Sequence, residues 1–200
     1  MSKQRDQIIV ICTGNICRSP MAKCLLEQAI EAEGAPLNSL KVISAGTSAW
    51  SGDPASTNSV TALSKVGIEL TQHKSQPITK DMLESAFLVL GMTHSHLYGI
   101  EKYKKSLPPR VHLFRDFMNP PSDAEAEIMD PYGQNLATYR ACLDSMAEAI
   151  PSLIEFLKKE YLPRLKVAGL KKMTGMRIWN KEGAFSIGWV FEYENEEAFK

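Results

Sequence analysis

The stretch VICTGNICRSPM, residues 10–21, puts a cysteine at the end of an apolar run, then a glycine, an asparagine and an arginine ahead of a Ser-Pro pair. Ile8 to Cys12 is short, rich in β-branched residues and apolar at every position. That pattern suits a central parallel strand buried on both faces. Ser19-Pro20 reads as a helix start, serine at the N-cap and proline in the first turn, and Gly34 ends that helix after Glu33. A strand that passes through a tight loop containing Gly14 straight into a helix brings backbone N–H groups and a helix N-terminus together as an anion site. Arg18 adds a planar fork for phosphate oxygens. The same positive field favours a thiolate at Cys12, and a thiolate inside a phosphate cradle is a nucleophile for phosphoryl transfer.

Further along the chain, apolar runs alternate with helical patterns. Strands are expected over 40–45, 87–92 and 111–114, and helices over 57–66 (closed by Gly67), 79–85 and 95–105. Residues 119–133 read as a loop from their Pro, Asp and Gly content, and 135–161 as a long amphipathic helix with Pro151 as a bend or break. Strands alternating with helices imply βαβ units and a mostly parallel, doubly wound α/β sheet, whose ligands sit beyond the carboxyl ends of the strands. Residues 161–200 differ: basic residues dominate up to Arg177 and acidic ones from Glu182. Two β-rich runs flank Asn180-Lys181-Glu182-Gly183, a hairpin signal.

Composition narrows the function classes. Lys plus Arg and Asp plus Glu are both 23, so bulk charge points to neither nucleic acid nor a membrane surface. No apolar run approaches the roughly 20 residues of a membrane span, and the N-terminal apolar run is too short for a signal core; a cytoplasmic location is expected. Cys12, Cys17, Cys24 and Cys142 lack the density of a disulfide scaffold and the spacing of a zinc site, so reduced thiols are expected. His94 and His96, with no carboxylate or cysteine partner in sequence, are weak as metal ligands. A nucleophile needs a proton donor for its leaving group, and Asp130, in MDPYG, is the candidate. The proline after it holds it extended, in a loop able to fold over the cradle.

The motif CTGNICRSP, with MDPYG 118 residues after the cysteine, resembles the low-molecular-weight protein tyrosine phosphatase family. The likeness covers about residues 7–158 and includes ISAGTSAW, TQHKSQPITKDM and LVLGMTHSH. It implies a three-layer, flavodoxin-like fold, a four-stranded parallel sheet with helices on both faces, as a phosphatase domain over 1–158. Residues 159–200 are left as an extension. It also implies a two-step hydrolysis without metal or cofactor, in which Cys12 attacks phosphorus, Arg18 and the loop Thr13, Gly14, Asn15, Ile16, Cys17 and Ser19 hold the phosphate oxygens, and Asp130 serves as acid and then base. Asn15, Ser19, Ser44 and His73 match residues that brace the loop and stabilise the thiolate. Cys17 matches a cysteine that pairs with the nucleophile under oxidation. Trp50 and Tyr132 match two aromatics that wall the cleft.

The substrate reading is mixed. A bacterial branch of the family removes phosphate from arginine in proteins, and LVLGMTHSH and DPYG resemble that branch. There, a threonine follows the loop asparagine; here Ile16 stands in its place, and with Trp50 and Tyr132 it favours a flat aromatic ring. Phosphotyrosine in a protein is the expected substrate and phosphoarginine the alternative. Arsenate reduction needs a relay of further cysteines, which the spacing of the four does not provide. A non-catalytic phosphate-binding module would not need Cys12, Asn15 and Asp130 together. The expected partner is a phosphorylated protein, with no nucleic acid or membrane. The chain is expected as a monomer or a weak homodimer through its C-terminal extension, packed by Trp179, Phe185, Trp189 and Phe191.

Overall fold

The structure is a computed structural model that describes residues 5–118, 126–164, 170–181 and 184–193, the last two ranges as backbone only. Its chain divides into two compact units, Met1–Lys159 and Glu160–Lys200. The first unit holds a four-stranded sheet in the order β2-β1-β3-β4, built from β1 (Gln7–Cys12), β2 (Lys41–Gly46), β3 (Ala86–Gly91) and β4 (Val111–Leu113). Every pairing is parallel, with Ile9 opposite Ile43 and Val89. Among the described residues the sheet is flanked by α1 (Arg18–Glu33), α2 (Thr57–Ser64), α3 (Lys80–Ser85), α4 (His94–Gly99) and α5 (Leu136–Tyr161).

The doubly apolar run Ile8–Cys12 and the strand expected over 87–92 became the two inner strands. Ile8, Ile9, Val10 and Ile11 are fully buried, as is every residue of β3, so both faces of the sheet are covered. One core cluster joins Ile9, Ile11, Ala45, Ile78, Leu83, Val89 and Ile100. Burial of such side chains, about 1.5–3 kcal/mol each, is the main favourable term in holding the strand ends in place.

Several boundaries moved for local reasons. Helix α1 starts at Arg18 with Cys17 at its N-cap and no side-chain cap, so Ser19 is not the cap; its hydroxyl is turned to Cys12 and Asn15 instead. Helix α2 stops at Ser64, capped at its start by Ser56, and the chain turns at Gly67 with φ 79°. The helix expected over 95–105 is split: α4 ends at Gly99 and a 3₁₀ turn covers Glu101–Tyr103. Pro151 lies inside an unbroken α5. Part of the expected loop, 119–125, lies outside the described residues.

In the second unit, β5 (Leu170–Lys181) and β6 (Ala184–Tyr193) pair antiparallel, with Trp179 opposite Ser186. The expected turn residues 182–183 and the packing of the aromatics lie outside the described residues. None of the described helices is long and apolar enough to cross a membrane.

Candidate active site

Strands β1 and β2 end side by side, Cys12 opposite Gly46, and the loop from Thr13 to Cys17 turns there into α1. The carbonyl groups of this loop are held from outside. Thr47 N–H donates to Cys12 O at 2.9 Å, Ser48 N–H to Thr13 O at 3.0 Å and Ser56 N–H to Ile16 O at 2.8 Å. His73 Nε2 donates to Asn15 O at 2.6 Å, and Ser59 Oγ donates to Cys17 O at 3.4 Å. None of the loop's own amides, Thr13 through Cys17, donates to a described residue. A loop with its Cys12, Thr13, Asn15, Ile16 and Cys17 carbonyls held by the body and its amides unspent is a nest for an anion.

The residue that shapes the turn is Asn15 rather than Gly14. Asn15 is the one described non-glycine residue with positive φ, 55°, whereas Gly14 has an ordinary φ and a Cβ there would meet only Ile16, 3.6 Å away. Asn15 is fully buried and every side-chain group is used: Nδ2 donates to Ser19 Oγ (2.9 Å) and Ser44 Oγ (3.0 Å), and Oδ1 accepts from Gln76 N–H (2.9 Å). With Asn15 donating into Ser19 Oγ, the serine proton is free for the Cys12 Sγ, 3.0 Å away, the nearer of its two acceptors beside Ala45 O at 3.4 Å. Glycine is required at Gly46, where a Cβ would sit 2.5 Å from Thr13 O and 2.6 Å from Ala49 Cβ. Burial pushes the His73 pKa down, against the opposing bond to Asn15 O, so its ring is a neutral brace rather than a charge near the cradle.

Above the loop lies a cavity of about 280 Å³ lined by Cys12, Gly14, Ile16, Arg18, Trp50 and Tyr132, with Thr13, Cys17, Asp53 and Asp130 also on its wall. Trp50 is 81% exposed and Tyr132 68%, so these rings stand as cleft walls and not as core. The Arg18 side chain is 5% exposed: Nη1 donates to Ile128 O at 3.2 Å, and Nη2 to Asp130 Oδ2 at 2.6 Å. Its buried Nε has no partner among the described residues, which leaves a donor for an anion in the cradle. Asp130 is half exposed, and its Oδ1 accepts from Tyr132 N–H, which fixes the carboxylate against the wall residue.

A family model described as low molecular weight phosphotyrosine protein phosphatase matches residues 7–162. The chain belongs to that family. The protein-arginine-phosphatase of Bacillus subtilis is 35% identical over 153 residues, 76% of this chain and 97% of that protein. A probable low molecular weight protein-tyrosine-phosphatase, EpsP, of Ralstonia nicotianae is 29% identical over 162 residues, 81% of this chain and 97% of that one. Among solved structures, a mutant of the YwlE arginine phosphatase with a phosphorylated active-site serine superposes with a TM-score of 0.69 at 33% identity, covering 78% of this chain and 97% of its own. A second model, a domain of unknown function (DUF6974), matches residues 140–200.

The phosphatase fold thus brings all the expected site residues to one end of the sheet: Cys12, Arg18 and Asp130 at the cavity, Asn15, Ser19, Ser44 and His73 beneath it. Three residues escaped the reading of the sequence. Asp53 adds an acidic residue to the cavity wall. Buried Ser75 pins that wall: its Oγ donates to Trp50 O (2.6 Å) and accepts from Asp53 N–H (3.0 Å), while its backbone bonds Gly52 and Asp53. His96, read as an unremarkable histidine, is 3% exposed and lies 3.0 Å from Thr13 Oγ1.

Burial first, then the nearby Arg18 charge, lowers the His96 pKa from 6.5 to about 4. A base whose folded pKa is depressed adds stability that is complete above the unfolded value and is lost as pH falls toward the folded one. The phosphatase should therefore lose about 2 kcal/mol through His96 between pH 7 and pH 5. Urea unfolding at both pH values, with His96→Gln alongside, measures it: wild type should lose more stability than the variant by about that amount. Equal losses would mean that His96 is not held neutral.

Proposed function

We propose that this phosphatase hydrolyses phosphotyrosine in proteins through a phosphocysteine intermediate. The observation that carries the reading is the convergence of the Cys12 thiol, the unspent loop amides, Arg18 and the Asp130 carboxyl on one cavity walled by Ile16, Trp50 and Tyr132. The Cys12 thiolate attacks phosphorus, the S–P bond forms as the P–O bond to the phenol breaks, and Asp130 gives its proton to the leaving oxygen. Water then attacks the phosphocysteine, Asp130 takes a proton back, and inorganic phosphate leaves with the thiolate regenerated. Loop amides and Arg18 hold the equatorial oxygens through both steps. The YwlE mutant structure, which carries a phosphorylated active-site serine, supports covalent transfer to the residue at that position. The substrate is a phosphorylated cytoplasmic protein, with no nucleic-acid or membrane partner. The chain acts as a monomer or a weak homodimer through residues 159–200, outside its phosphatase domain of residues 1–158.

The second reading, phosphoarginine, is favoured by one observation besides the Bacillus subtilis relative. Asp53 puts an acidic residue on the cavity wall beside the rings, a combination that suits a guanidinium. Single-turnover and steady-state phosphate release from matched phosphotyrosine and phosphoarginine peptides decides between them. A kcat/KM at least about ten-fold higher for phosphotyrosine is expected from the apolar Ile16 and the two rings. The reverse ratio would assign the cavity to phosphoarginine, and release from neither by folded protein would make the chain a binding module.

A further inference from the structure

His96 sits on α4, the second histidine of THSH, beneath the edge of the phosphate loop. Its Nδ1 lies 3.1 Å from Thr93 N–H and 2.7 Å from Thr93 Oγ1, closing the first turn of α4. A backbone N–H can only donate, so Nδ1 is the acceptor nitrogen. A neutral ring then carries its proton on Nε2, and that proton points at Thr13 Oγ1, 3.0 Å away. The groups that face the ring fix this state: burial and Arg18 oppose its protonation, and Asp130 and Glu127 favour it less strongly. Thr13 Oγ1 is therefore an acceptor toward His96, and its own proton has no acceptor among the described residues. Thr13 is exposed and lines both the catalytic cavity and an adjoining groove of about 460 Å³, and Arg18 and Asp130 line both as well.

We propose that His96 is a positioning residue that locks the Thr13 hydroxyl so that its proton is presented to an oxygen of the phosphoryl group bound in the cradle. The proposal rests on the phosphatase reading for its rate effects, while its binding effects stand apart from turnover. It adds to the loop amides and Arg18 one side-chain donor whose direction is set from 83 residues away. A hydrogen bond to a charged oxygen is worth about a factor of ten or more.

The test uses the full chain, phenyl phosphate as substrate and inorganic phosphate as a ligand followed by calorimetry. His96→Leu and Thr13→Val should each lower kcat/KM and weaken phosphate binding about ten-fold, and the double variant should be no worse than either single one. His96→Gln, which keeps a donor, and Thr13→Ser, which keeps the hydroxyl, should recover most of both. Additive losses in the double variant, or phosphate binding unchanged in a folded Thr13→Val, would overturn the proposal. Thr13 is exposed on a loop, so its variants keep the test informative if His96→Leu does not fold. Phosphate bound by wild type without turnover of phenyl phosphate would sink the phosphatase reading and leave the binding comparison intact.

Discussion

Replacing Cys12 by serine is expected to reduce phosphate release by on the order of 10⁴-fold or more while leaving the protein folded and able to bind phosphate. The loss follows from what surrounds the position. A serine hydroxyl is a weak nucleophile unless a base takes its proton, and the nearby bases are engaged: Asp130 is ion-paired to Arg18 and accepts from Tyr132 N–H. His73 Nε2 donates to Asn15 O, and His96 is held between Thr93 and Thr13. Ser19 Oγ, 3.0 Å from the Cys12 sulfur, already accepts from Asn15 Nδ2, and a neutral hydroxyl is no base for the serine proton. Binding should survive because the cradle is made of loop amides and Arg18, none of which depends on sulfur. Single-turnover phosphate release with calorimetric phosphate binding separates the two effects. A serine variant within ten-fold of wild type would place the nucleophile at another residue, and lost binding would mean that the sulfur shapes the cradle.

The parts of this site that were legible in the sequence are those fixed by contiguous residues. Ile8–Cys12 announced a central strand because burial on both faces demands apolar residues at every position; 87–92 announced a strand but not that it would be the other inner one. The cradle was legible because one short stretch supplies its thiol, its amides and its arginine. What escaped is what depends on segments meeting in space. Ser19 fits an N-cap by type and by its place before Pro20, yet a partner hydroxyl was worth more to Cys12 and Asn15 than a cap to α1. The left-handed turn fell to Asn15 because a buried side chain with three good hydrogen bonds offsets the strain that glycine would have avoided. Ser75 and Asp53 lie in segments without periodicity, and bonds between distant segments, the bridge from Gly46 to Pro77 and the backbone pairing of Ser75 with Gly52 and Asp53, bring Ser75 against the Trp50 wall. His96 did leave a signal. Threonine at an N-cap with a polar residue three positions on is a capping-box spacing, and it ties the ring down before Thr13 is considered.

Arg18→Lys keeps the charge and should still lower kcat/KM for phenyl phosphate by about 10³-fold or more, chiefly through kcat. The guanidinium does three things at once from a buried position. Nη1 holds Ile128 O, Nη2 holds Asp130 Oδ2, and Nε remains for the cradle. An ammonium has one nitrogen and no planar fork, so it can serve the loop at 128–130 or the phosphate, but not both in fixed geometry. The cost should fall on the transition state, where charge builds on oxygens that a donor fixed in the guanidinium plane matches and a mobile point charge does not. Ground-state binding of inorganic phosphate should weaken less, by about ten-fold, because the loop amides are untouched. The same substitution frees the Asp130 loop from its anchor. The loss should therefore be larger for phenyl phosphate, which needs its leaving oxygen protonated, than for 4-nitrophenyl phosphate, which does not. Kinetics on the two esters with calorimetric phosphate binding reads all three effects. A lysine variant with equal losses on both esters would show that Arg18 acts on phosphate alone. One that kept more than a tenth of wild-type kcat would show that the loop amides suffice and that the ion pair to Asp130 is only structural.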